Sequence, residues 1–226
     1  MNAVPGPRRF AGVEAVLFDL DGTLADTAPD LGGALNRLRL RRGLAALPLE
    51  LLRPVASAGA RGLLGAGLGK TPQDPDYEAL RDEFLVEYEA ALDRDSRLFD
   101  GTRPLLEALG ARGLRWGVVT NKAMRFAAPV VRGLGLGDAA VVIAGDSTAH
   151  PKPHPAPLLA ACAHLELRPA QCIYVGDDLR DVQAAHAAGM PAVAAGWGYL
   201  GEDSDASRWG AEALIQAPHE LLELLG

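Results

Sequence analysis

The sequence predicts an α/β protein in which a mostly parallel sheet alternates with helices and is interrupted near its start by an all-helical insertion. Three observations carry this expectation. Short apolar runs at residues 15–18, 114–119 and 172–175 each end abruptly in polar residues. The stretches between the later runs have helical periodicity, and such alternation implies right-handed crossovers into a parallel sheet. From Pro29 to about Arg97, by contrast, there is no strand-like run, only helical patterns broken by Gly and Pro.

In chain order, Ala15-Val16-Leu17-Phe18 reads as a buried strand with Asp19, Asp21, Gly22 and Thr23 at its carboxyl end. In the insertion, Leu31, Ala34, Leu35 and Leu38 recur at i, i+3, i+4 and i+7, and Pro29 suits a first helical turn. Tyr77, Leu80, Phe84, Tyr88 and Ala91 repeat the pattern. The glycines between Ser57 and Gly69 read as an internal loop or helix junction, so the insertion is not one long helix. Beyond Thr102 the expected elements are a helix over 104–112, a strand over 114–120 and a helix over 125–134 that contains Pro129. A strand over 141–144, a helix over 155–165, a strand over 172–175 and a helix over 182–188 follow, the last placed to end at Gly189. A final short strand is expected at 191–195. The domain division that results is a core of residues 1–25 and 98–226 around a helical insertion of residues 26–97.

Composition narrows the function. A chain of 226 residues can form one good core plus an insertion. A net charge of -7 argues against a nucleic-acid partner, which would need a basic stripe. No segment has the length of a membrane span, and residues 1–9 carry no apolar stretch of signal-peptide length, so a cytoplasmic monomer or homodimer is expected. Cys162 and Cys172 lack ligand-like spacing and read as reduced core residues. His150, His154, His164, His186 and His219 offer no pair at metal-ligand spacing. Trp197 and Tyr199 follow the last strand and read as packing residues at a crevice.

The acids at residues 19 and 21 point to chemistry. Ligands of open α/β sheets bind at the carboxyl ends of the strands, and alternation sends Asp19 and Asp21 the same way. Two carboxylates crowded together need a cation between them or a proton on one. The bland alternative is a strand that runs into an acidic Gly-Thr turn. Two other strand ends weigh against it: Thr120-Asn121-Lys122 and Gly176-Asp177-Asp178-Leu179-Arg180-Asp181, with Lys152 between them, flanked by Pro151 and Pro153.

In this order the residues resemble the haloacid dehalogenase superfamily of phosphohydrolases, and the resemblance covers nearly the whole chain. It implies a Rossmann-like core with a helical cap over the active site. It further implies that Asp19 is the nucleophile, that Asp21 is the general acid and base, and that Mg²⁺ is held by the Asp19 side chain, the Asp21 backbone carbonyl and Asp177. Thr120 and Asn121 would then bind the phosphoryl oxygens and Lys152 would balance their charge. Asp178 would orient water or metal and Asp181 would hold Lys152, or either would cap the following helix.

Within the superfamily the chain looks most like the phosphoglycolate phosphatase group. Segments such as Ser57-Ala58-Gly59-Ala60-Arg61 and Trp116-Gly117-Val118-Val119-Thr120-Asn121-Lys122 resemble the branch that acts on N-acetylmuramic acid 6-phosphate in peptidoglycan recycling. Both substrates join a phosphate to a carboxylate, so a cation in the cap would suit either. Ser57, Arg61 and Lys70 are the candidates, Arg61 foremost. A dehalogenase would lack Asp21, and a binding module would be expected to have lost Asp19, Asp21, Lys152 or Asp177. A phosphosugar mutase, which shares every core residue, stays open beside a phosphatase of either substrate.

Overall fold

The computed structural model describes residues 9–201 and 205–226; most of the amino-terminal segment read above lies outside them. Ala15, Val16, Leu17 and Phe18 are all buried and form β1 (Ala15–Phe18). Alternate residues of this strand face opposite ways. Val16 and Phe18 join one hydrophobic core, with Leu105, Val118, Val130 and Ile173, while Ala15 and Leu17 join another, with Leu158, Tyr174 and Val182. A strand covered on both faces has no polar side, which is why its sequence is continuously apolar.

After β1 the chain forms β2 (Ala25–Asp26) and the helical insertion: α1 (Ala28–Arg41), α2 (Leu49–Leu52), a 3₁₀ turn over Arg53–Ala58, α3 (Gly59–Leu68) and α4 (Tyr77–Glu89). The apolar stripes of α1 and α4 meet in a third core around Leu35, Leu38, Leu64, Phe84 and Tyr88. Where the sequence suggested an internal loop or helix junction, the 3₁₀ turn meets a ten-residue helix at Gly59, and most of the glycine-rich stretch is helical. The glycines there serve close packing: a Cβ on Gly67 would lie 2.5 Å from Leu35 Cδ2, and one on Gly62 would lie 2.4 Å from the Val55 carbonyl. Leu63 and Leu64 are fully buried and fix the helix in place.

The chain leaves the insertion through β3 (Arg97–Leu98), which pairs antiparallel with β2. This small pair, absent from the expected elements, ties both crossings of the insertion together. It is too short to produce a periodic signal.

The remainder alternates as expected: α5 (Thr102–Ala111), β4 (Arg115–Val119), α6 (Met124–Gly133), β5 (Val142–Ile143), α7 (Ala156–Leu165), β6 (Cys172–Gly176), α8 (Leu179–Ala188) and β7 (Ala192–Ala195). Pro129 lies inside α6. The strand expected to be last is not: β8 (Ala213–Ile215) adds an edge, and α9 (Leu221–Leu224) packs beneath α5. The sheet has the order β5-β4-β1-β6-β7-β8 and every pairing is parallel.

Cys162 and Cys172 are buried free thiols with sulfurs 3.8 Å apart. The five histidines are exposed. No helix among the described residues is long and apolar enough to cross a membrane.

Candidate active site

β1 lies between β4 and β6, with Phe18 in register with Val118 and Val175. Their carboxyl ends therefore deliver Asp19, Thr120 and Asp177 to one edge of the sheet. Lys152 arrives from the loop before α7, and its main chain is fixed by Asn121: Lys152 N donates to Asn121 Oδ1 and Asn121 Nδ2 donates to the Lys152 carbonyl, both at 2.9 Å. The Asn121 amide thus shapes the lysine loop, and the residue also lines the pocket of Asp19 and Asp21, where it was expected to meet phosphoryl oxygens. The Thr120 hydroxyl is buried and accepts from Lys122 N at 3.2 Å.

The lysine ammonium sits among acids. It lies 2.7 Å from Asp181 Oδ1 and 2.9 Å from Asp19 Oδ1, and donates to the Val119 carbonyl and the Tyr174 hydroxyl at 3.0 and 2.6 Å. The contact to Asp19 is an ion pair without hydrogen-bond geometry, so this buried Asp19 oxygen has no hydrogen-bond partner among the described residues. Asp177 is wholly buried and accepts from Thr23 Oγ1 and Tyr199 N, each at 2.8 Å. Two glycines make room for it. A Cβ on Gly22 or on Gly198 would come within 2.1 Å of the Asp177 side chain, and Gly22 has a φ of 93° besides.

Asp19, Asp177 and Asp181 each place an oxygen within 4.8 Å of the others, with one ammonium among them. Burial, then the charges of Asp19 and Asp181, pushes Asp177 well above the usual carboxylate range. Burial likewise pushes Asp181 up to about 7, against the pull of Lys152. An excess of buried negative charge, an orphaned carboxylate oxygen and an all-oxygen donor set together fit a hard divalent cation. Of the expected ligands, Asp19 and Asp177 belong to this cluster. The Asp21 side chain is engaged elsewhere, and the third acid of the cluster is Asp181.

Asp178 takes the capping role of its two readings, and Asp181 takes both of its own. Asp178 caps α8, accepting from Arg180 N at 2.9 Å, while Asp181 accepts from Asp178 N at 3.1 Å and also holds Lys152.

Lys122, Thr27 and Arg180 escaped the sequence reading, and Tyr88 was read only as part of a helical stripe. Lys122, whose side chain is 6% exposed, sets its ammonium 2.9 and 3.0 Å from the two Asp21 oxygens. Burial works against that charge, but Asp21 and then Tyr88 outweigh it, and the ammonium holds its proton more tightly than an ordinary lysine. Tyr88 of α4 lies beneath it, with the ammonium 4.9 Å from the ring centroid. Thr27 Oγ1 donates to Asp21 as well. The third is Arg180, which bonds Asp178 through Nε and Nη2 at 2.7 Å each and the Ser57 carbonyl through Nη2 at 2.9 Å, so it links core to insertion. The run of Thr120, Asn121 and Lys122 was the only available signal for Lys122.

Tyr199 does more than pack. Its hydroxyl accepts from Thr27 N and Ala28 N at 2.7 and 2.8 Å, at the start of α1, and donates to Asp26, which also pairs with Arg53 at 2.6 Å. Trp197 Nε1 donates to the Thr23 carbonyl at 3.0 Å. Of the expected specificity residues, Ser57 reaches the catalytic pocket, Arg61 lines an adjoining cavity, and Lys70 is paired with Asp76 at 2.7 Å.

Comparison with known proteins agrees with this geometry: residues 13–189 match the haloacid dehalogenase-like hydrolases. The chain belongs to that family. It is 46% identical over 210 residues to the phosphoglycolate phosphatase of Xanthomonas campestris, covering 92% of this chain and 95% of the relative. It is 40% identical over 214 residues to the N-acetylmuramic acid 6-phosphate phosphatase of Pseudomonas aeruginosa, covering 94% and 95%. A crystal structure described as a predicted phosphoglycolate phosphatase from Haemophilus somnus superposes with a TM-score of 0.83 at 28% identity, covering 94% of this chain and 98% of that one. This haloacid dehalogenase-like hydrolase therefore has the parallel sheet its sequence predicted, and relatives named for two different esters.

Proposed function

We propose that the protein is a Mg²⁺-dependent phosphomonoester hydrolase that works through an aspartyl-phosphate intermediate on a small ester bearing a carboxylate. The observation that carries the reading is the Asp19 carboxylate, which is held by Lys152 through charge alone and keeps a buried oxygen free of hydrogen bonds at the floor of a pocket that Asp21 also lines.

Phosphate monoesters resist attack because the phosphoryl group is anionic and the alkoxide leaves poorly, so catalysis needs charge balance, alignment and a proton donor. An Asp19 oxygen attacks phosphorus as the ester P–O bond breaks, and Asp21 gives its proton to the departing oxygen. Asp21 then takes a proton from water, whose oxygen attacks phosphorus and frees Asp19. Lys152 offsets the charge of Asp19 and of the phosphoryl group throughout. Asp19 and Asp177, with the Asp21 carbonyl, would hold Mg²⁺, which when bound supplies positive charge to the phosphoryl oxygens. We assign the insertion of residues 26–97 the role of a cap, in keeping with Ser57 and Tyr88 reaching the site from it.

For the substrate we favour N-acetylmuramic acid 6-phosphate, with 2-phosphoglycolate as the second reading because the Xanthomonas campestris relative bears that name. Phosphate release by the purified protein with Mg²⁺, measured as kcat/KM on the two esters side by side, tests this. A large preference for the sugar supports our reading, and the opposite preference would move the enzyme to the second. Release from neither, with isomerised phosphosugar formed instead, would make it a mutase.

A further inference from the structure

The catalytic pocket has a volume of about 20 Å³, close to that of a single water-sized probe, and leaves no room for the body of an ester. On the far side of Arg180, sharing Asp178 and Arg180 as a wall, lies a cavity of about 240 Å³. Val55, Ala58 and Arg61 line it from the insertion, and Leu179, Gln183 and Leu200 from the core. Its volume approaches the ~300 Å³ at which small-molecule sites begin, and far exceeds what a two-carbon acid requires.

The two cations of this cavity are unequal. Arg180 spends three of its five N–H groups, one on Nε and two on Nη2, on Asp178 and the Ser57 carbonyl, which immobilises the guanidinium at low further entropic cost. Both Nη1 hydrogens have no partner among the described residues. Arg61, which lines the same cavity from the insertion, is exposed and has no carboxylate within ion-pair distance among the described residues. Cationic N–H groups without a partner among the described residues, in one cavity lined also by Val55, Ala58, Leu179 and Leu200, suit an anionic group on the ligand.

We propose that Arg180 is the specificity-determining residue of this enzyme: its Nη1 edge, with Arg61 of the same cavity, binds the carboxylate of a hexose-sized phosphate ester whose sugar occupies this cavity. The assignment rests on the phosphatase reading above and selects within it. The Ser57 carbonyl, from the insertion, holds Arg180 in place for this role.

The test uses a matched pair, N-acetylmuramic acid 6-phosphate and N-acetylglucosamine 6-phosphate, which differ only in the 3-O-lactyl ether that carries the carboxylate. A third ester, p-nitrophenyl phosphate, reports the bare chemistry. Wild-type enzyme should favour the muramic ester by at least about tenfold in kcat/KM, in the range expected for a hydrogen bond to a charged group. Arg180→Gln should erase most of that preference, through KM more than kcat, and Arg61→Gln should erase a smaller part. Gln183→Trp, which fills the cavity from an exposed helical position, should lower the ratio of sugar-ester to p-nitrophenyl phosphate turnover. An equal loss on both sugar esters in Arg180→Gln would make Arg180 a mere brace for Asp178 and overturn the proposal, as would a wild-type enzyme indifferent to the carboxylate. Failure on p-nitrophenyl phosphate as well would overturn the phosphatase reading itself.

Discussion

The catalytic pocket and the cavity beside it share a wall but are built by opposite rules. In the pocket, Asp19, Lys152, Asp177 and Asp181 are buried and nearly every polar atom is held by a strand end, a helix cap or a neighbouring charge. In the cavity, Arg61 and Gln183 are exposed and little constrains them. The difference teaches where each part of the function resides. We assign the reaction common to many esters to the rigid sheet edge, and selection among esters to Arg180 on the shared wall, braced by Asp178 and Ser57, together with the exposed Arg61.

The sharpest way to break this contrast is to alter the rigid side. Asp19→Asn keeps the shape of the side chain and removes the nucleophile, so turnover should fall by about 10⁴-fold or more on every ester, in line with losses seen when a nucleophile is removed. Because the substitution also takes one charge out of a crowded acidic cluster, thermal unfolding of the metal-free protein should not occur at lower temperature. Wild-type turnover in this variant would remove Asp19 from the mechanism.

A smaller effect is expected at Lys122. Replacing it with Met keeps the packing against Tyr88 but frees the Asp21 carboxylate, and kcat should fall about 10- to 100-fold on all esters alike, with KM changed little. A loss confined to one ester would move Lys122 to the selective side of the comparison.

The smallest effect is on stability and depends on pH. Asp177 and Asp181 bind protons more tightly folded than unfolded. Without metal, their contribution is therefore most favourable below the unfolded value near 3.8 and is lost as pH rises through about 7, where Asp181 ionises. A divalent cation needs the ionised acids, so the rise in Tm produced by Mg²⁺ should grow between about pH 5 and pH 8. At a hundredfold excess over Kd the gain corresponds to about 2.7 kcal/mol, or roughly 5–10 °C for a chain of this size. A gain that is equal or larger at the acidic end would contradict the acidic cluster as the metal site.

The same contrast explains what could be read from the sequence. Asp19 and Asp177 were legible because each stands where a buried run stops, and the topology of a parallel sheet brings such ends together; Lys152, in a loop between two prolines, was legible only through the order of the motifs. The parallel character of the sheet and the helical character of the insertion follow from the same periodicities, whereas the strand order does not. What could not be read depends on partners distant in sequence. Nothing near Asn121 tells that its amide will close on the Lys152 backbone, or near Lys122 that its ammonium will meet Asp21 across 101 residues. The helix over Gly59–Leu68 was hidden because glycine signals both loops and close contacts, and only the position of Leu35 decides between them. With three residues, β8 carries too little pattern to be seen.

The central claim, that Asp19 carries the phosphoryl group, is tested most directly by trapping it. In Asp21→Asn with Mg²⁺ and p-nitrophenyl phosphate, the leaving group needs no proton, so the first step proceeds, while the second lacks its base. Mass spectrometry of the quenched protein should then find one phosphoryl group on the peptide containing Asp19, and none in the Asp19→Asn protein. Phosphate released with no labelled protein, or a label on another residue, would contradict the account.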